Sequence, residues 1–67
     1  MSSQGERIRE AMEVRGLTRA QLAEQSGVSY TAISHYINNT RDMHLKTIRK
    51  LAPALGVKAS WLAWGVR

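Results

Sequence analysis

The sequence predicts an all-α domain of five short helices, and three observations carry that prediction. Four of the five glycines are followed at once by an aliphatic residue, as Gly16-Leu17, Gly27-Val28, Gly56-Val57 and Gly65-Val66. A helix commonly ends in a glycine whose successor folds an apolar side chain back onto the last turn, so each pair marks a stop. Starts lie where these stops require them. Ser3-x-x-Glu6 and Thr18-x-x-Gln21 have capping-box spacing, and Ser29 follows Gly27-Val28 as a third N-cap. Between the marks, apolar residues recur three and four apart, and no segment alternates with the period of a strand.

The first helix is expected over about residues 4–15, with Ile8, Ala11 and Met12 inward. The second is expected over 19–26, with Leu22 and Ala23 inward, and the third from Tyr30 to about Asn38, with Ile33 and either Tyr36 or Ile37 inward. The fourth, over about 45–55, presents one stripe of Leu45, Ile48, Leu51, Ala52 and Leu55. A last short turn over about 59–64 carries Trp61 and Leu62. Pro53 conflicts with the fourth helix, because it removes one backbone hydrogen bond and crowds the Arg49 carbonyl. Uncompensated, that costs about 3 kcal/mol, so a kink or a loosened last turn is expected.

With 67 residues, no linker and no internal repeat, the chain is expected to form a single domain over 1–67. A chain this short buries about 60% of its unfolded surface, so the core must be thin. There is no cysteine, which excludes disulfides and thiolate metal sites. No run approaches the ~18 apolar residues of a membrane span, and the first residues lack a signal-peptide core. A soluble intracellular domain, without a membrane partner, is the expectation.

The net charge of +5 is distributed unevenly. Residues 1–40 hold four basic and four acidic side chains, whereas 41–67 hold six basic ones (Arg41, Lys46, Arg49, Lys50, Lys58, Arg67) against Asp42 alone. From Gln25 to Thr40 there is no charged residue at all. An uncharged polar segment running into a basic one suits an anionic partner.

Helices 2 and 3 are separated by only Gly27-Val28-Ser29, the construction of a helix-turn-helix unit, here about residues 19–38. Ala23 is small where the helices cross, and Val28 and Ile33 fill the angle between them. With Arg7-Ile8-Arg9, Gly16-Leu17-Thr18, Gln21-Leu22-Ala23-Glu24, Gly27-Val28-Ser29, Ala32-Ile33-Ser34, Leu55-Gly56-Val57, Trp61-Leu62 and Gly65, the chain resembles the Cro/CI-type family of phage repressors and bacterial regulators. The resemblance covers about residues 5–65 and rests on the ordered set rather than on any one motif.

That resemblance implies a lambda-repressor-like DNA-binding domain whose third helix lies in the major groove of an operator. Tyr30, Thr31, Ser34 and His35 would then read bases, with His35 donating to guanine and Tyr30 or Thr31 touching thymine methyls. Arg19, Ser29, Asn38, Asn39, Thr40, Arg41, His44 and Lys46 would follow the DNA backbone. Arg19 stands where the family usually has glutamine, Met43 where it often has proline, and Lys58 where it has a small polar cap. Asn39 is the best non-glycine residue for a left-handed turn after helix 3. The implied partner is a palindromic double-stranded operator bound by a homodimer, with Lys58, Trp61 and Trp64 as candidate subunit contacts.

No serine sits with a histidine and an acid in a nucleophile motif, and no carboxylates stand at metal-ligand spacing, so neither catalysis nor a metal or other cofactor is expected. Two other readings share these residues. One is an antitoxin or restriction-modification controller repressing its own operon. The other, of a different class, is a protein-interaction module on the same helical fold.

Overall fold

The computed structural model describes residues 2–66. Five helices follow one another: α1 (Gln4–Arg15), α2 (Arg19–Ser26), α3 (Tyr30–Ile37), α4 (Leu45–Leu55) and α5 (Ala59–Trp64). The local signals act as expected. Ser3 and Thr18 form complete capping boxes with Glu6 and Gln21, and the Ser29 hydroxyl accepts from the Ala32 amide at 3.1 Å. Gly27 turns the chain between α2 and α3 at φ 76°, a left-handed conformation that a side chain would resist. Asn39, at φ 58°, is the one non-glycine residue with positive φ among those described. Helix α3 ends at Ile37, one residue earlier than expected, with Asn38 as its cap.

The core is a single cluster drawn from every helix, with Ile8, Leu22, Ile33, Leu51, Leu55 and Leu62 fully enclosed. Val28 and Ile33 fill the angle of the motif, and Tyr36 and Ile37 are both buried, so α3 gives three of its eight residues to the interior. One expectation about α4 is corrected. Leu45 is 53% exposed: the first turn of α4 projects beyond the core, and Met43, just upstream, is buried instead. Helix α4 also continues through Pro53 to Leu55. Both Pro53 and Arg49 are exposed, so water can solvate the carbonyl that Pro53 leaves without an amide.

Polar anchors hold the ends of this bundle together. Arg7 is buried, and its guanidinium donates to the carbonyls of Leu62 (3.0 Å), Ala63 (2.9 Å) and Ser2. These include the orphan carbonyls at the end of α5, where a positive charge also suits the helix dipole. Gln4 bridges two elements: its amide nitrogen donates to the Ala63 carbonyl at 3.1 Å, and its oxygen accepts from the Met43 amide at 3.2 Å. The Gly5 amide donates to the Asn39 side-chain oxygen at 3.1 Å, which ties α1 to the turn after α3.

Candidate nucleic-acid interface

Helix α3 divides cleanly by helical period. Ile33, Tyr36 and Ile37 face the core, while Tyr30 and Thr31 are exposed and Ser34 and His35 are half-buried along the outer side. The capped start at Ser29 fixes where the helix begins, so all four candidate base-reading residues fall on one face within its first six residues. None carries a formal charge when the imidazole is neutral.

Two of these side chains are held in place by neighbours outside α3. Arg19, the first residue of α2, donates from Nη1 to the Ser34 hydroxyl at 3.2 Å. A hydroxyl has one proton, so Ser34 accepts from Arg19 and keeps that proton for an outside acceptor. Past the end of α3, the Thr40 hydroxyl lies 3.0 Å from Nδ1 of His35 and 3.1 Å from the His35 carbonyl oxygen. The Thr40 amide also donates to that carbonyl at 3.0 Å. Neither partnership has a signal in the sequence, because Arg19–Ser34 joins different helices and His35–Thr40 crosses a helix end.

The flanks differ in what they leave available. Asn38 and Arg41 are exposed. Asn39 uses its side-chain oxygen on Gly5, and Thr40 uses its hydroxyl on His35, so both shape the turn. His44 is the N-cap of α4 and makes no side-chain cap bond, and Leu45 and Lys46 beside it are exposed. The first amides of α4 are therefore open to an anion, with a lysine next to them. Arg49 and Lys50 extend the basic surface along α4.

On α5, Trp64 is 70% exposed and Trp61 belongs to the core, and Lys58 just before this helix is exposed. Among the described residues, no cluster of three or more His, Cys, Asp and Glu could hold a metal ion, and no helix is long and apolar enough to cross a membrane.

Residues 8–62 match a family model described as "Helix-turn-helix". The chain belongs to the helix-turn-helix family, of the Cro/CI type. The motif is the α2–α3 unit, and this membership makes the chain a DNA-binding regulator rather than an enzyme. Among solved structures, this helix-turn-helix domain is similar to the P22 c2 repressor protein, crystallised with the synthetic operator 9T in the presence of Tl+. The two share 27% sequence identity with a TM-score of 0.90, over 98% of this chain and 100% of that one. No curated protein matches the sequence.

Proposed function

We propose that residues 1–67 form one domain that binds a palindromic operator in double-stranded DNA as a homodimer, in the manner of a phage or prophage repressor. Helix α3 enters the major groove, where Tyr30, Thr31, Ser34 and His35 meet base edges. Arg19, Ser29, Asn38, Asn39, Thr40, Arg41, His44 and Lys46 lie along the phosphates, with Asn39 and Thr40 acting through the turn they build. The observation that carries this reading is the neutral outer face of α3, with Arg19 bonded to Ser34 on it and with the exposed Arg41, Lys46 and uncapped start of α4 following it in the chain. The bound P22 relative supports the double-stranded partner. A soluble protein working at the nucleoid of a bacterial cell follows from the same reading.

The test is binding to a selected site and to scrambled DNA at about 50 and 200 mM salt. A DNA binder that neutralises several phosphates loses orders of magnitude in affinity over that range, whereas an apolar protein interface hardly responds. Two kinds of mutant should then separate. Arg41→Ala removes a charge that carries no sequence information, so it should weaken both DNAs by similar factors and lower the salt slope by about 1. Thr31→Ala removes a hydroxyl and a methyl from the reading face. It should cost about 1–3 kcal/mol on the selected site, nearly nothing on scrambled DNA, and leave the salt slope unchanged. Equal losses on both DNAs for Thr31→Ala would take that residue out of base reading.

The subunit contact is assigned to the α5 end, where Lys58 and Trp64 are exposed and Trp61 backs them from the core. Half-sites should lie about one helical turn (~34 Å) apart. Trp64→Ser should weaken dimerisation on DNA without lowering the melting temperature, since its ring is mostly in solvent. Sedimentation with and without the site measures this, and an unchanged dimer removes Trp64 from the contact.

A further inference from the structure

We propose that His35 reads DNA as a hydrogen-bond acceptor, through an Nε2 lone pair fixed by Thr40, and therefore selects a base that presents an amino group. This rests on α3 lying in the major groove, the reading given above. The argument begins with one proton. The Thr40 hydroxyl has two acceptors within reach, the His35 carbonyl oxygen at 3.1 Å and Nδ1 of the His35 ring at 3.0 Å. It can donate to only one of them.

If the hydroxyl donates to Nδ1, two oxygens are left facing each other at 3.1 Å with no proton between them. If it donates to the carbonyl, Nδ1 must carry the ring proton and donate to the hydroxyl oxygen, and both contacts become hydrogen bonds. The carbonyl has a second lone pair for the Thr40 amide, which reaches it at 3.0 Å. Only this assignment makes a hydrogen bond of both hydroxyl contacts. In a neutral imidazole with Nδ1 protonated, Nε2 is an acceptor. Nε2 has no hydrogen-bond partner among the described residues, and the ring is half-buried on the outer face of α3 beside Thr31 and Ser34.

An acceptor at this place discriminates in a definite direction. In the major groove, adenine N6 and cytosine N4 are the only base-edge donors, while guanine and thymine present acceptors there. Neutral His35 therefore pairs with adenine or cytosine and meets guanine lone pair to lone pair, the reverse of the donor role read from the sequence. Ser34 differs from it: it accepts from Arg19 on one lone pair and keeps its proton to donate. Thr40 is a positioning residue, since it sets which ring nitrogen keeps the proton.

Two measurements at about pH 8 test this. Nitrogen-15 NMR of the free protein should show the His35 proton on Nδ1, and Thr40→Val, which keeps the shape but removes the hydroxyl, should release it to a mixture of tautomers. A proton on Nε2 in the unaltered chain overturns the proposal whatever the DNA result. Selection from random duplex DNA should give one position per half-site that His35→Ala relaxes by about tenfold. Removing the amino group there, with purine in place of adenine or 2-pyrimidinone in place of cytosine, should weaken the unaltered chain by a similar factor, Thr40→Val less, and His35→Ala not at all. An amino deletion that weakens the unaltered chain and His35→Ala equally overturns the acceptor role while leaving α3 as the reading helix. If His35→Ala and Thr31→Ala both leave the selected sequence unchanged, the groove placement of α3 itself fails.

Discussion

Gly5→Ala should be among the most damaging single substitutions in this chain, although it places a better helix former inside α1. By propensity alone, alanine would stabilise the helix by about 1 kcal/mol. Packing decides otherwise. A Cβ on Gly5 would run into the backbone carbonyl oxygen of Ile37, and it would lie 2.7 Å from that of Tyr36 and 2.9 Å from the Asn39 side-chain nitrogen. Two of these atoms are backbone at the end of α3 and cannot rotate away, so α1 and α3 must separate. Overpacking of this kind costs about 3 kcal/mol, which outweighs the propensity gain and is a large share of a small domain's stability. With a net loss of about 2 kcal/mol at about 4–8 °C per kcal/mol, the melting temperature should fall by about 8–16 °C. Thermal denaturation followed by circular dichroism measures it, and a melt within about 3 °C of the parent would sink the argument.

The second large effect is expected at Arg7. Arg7→Met keeps most of the buried stem but removes the guanidinium that donates to the carbonyls of Leu62 and Ala63. Buried carbonyls left without donors cost about 1–3 kcal/mol each, and the charge at the end of α5 is lost as well. Gln4 still reaches Ala63, so that carbonyl keeps one partner and Leu62 bears most of the loss. A destabilisation of about 2–4 kcal/mol is expected, seen as loosening of α5 and a changed Trp61 fluorescence before global unfolding. Because the guanidinium is buried, raising the salt concentration should not reproduce the effect. A variant that melts like the parent would mean the α5 carbonyls find water instead.

Much of this fold was legible because its signals are local. The capping boxes at Ser3 and Thr18, the turn at Gly27 and the left-handed Asn39 each depend on residues no more than a few positions apart. Their physics is complete within a short window of sequence. Arg7 enters the sequence reading as a charge and as part of Arg7-Ile8-Arg9, with no structural role, because its partners lie 55 and 56 positions away. The exposure of Leu45 and burial of Met43 were illegible for the same reason, since both depend on where α4 begins relative to the core. For the candidate interface, the periodic pattern placed Tyr30, Thr31, Ser34 and His35 on one outer face of α3. It said nothing of hydrogen-bond polarity, which depends on Thr40 beyond the helix and on Arg19 in another one.

Arg7 also brings the beginning and the end of the described chain to one place, since it touches Ser2 on one side and Leu62 and Ala63 on the other. Ser2, Trp64 and Gly65 thus line one hollow around Arg7. Joining the two ends through a peptide would remove many conformations from the unfolded form, because a cyclic chain has fewer ways to spread. Any segment joined at either end, before Ser2 or after Val66, would likewise depart from the same corner of the surface, beside Trp64 and within reach of whatever Trp64 touches.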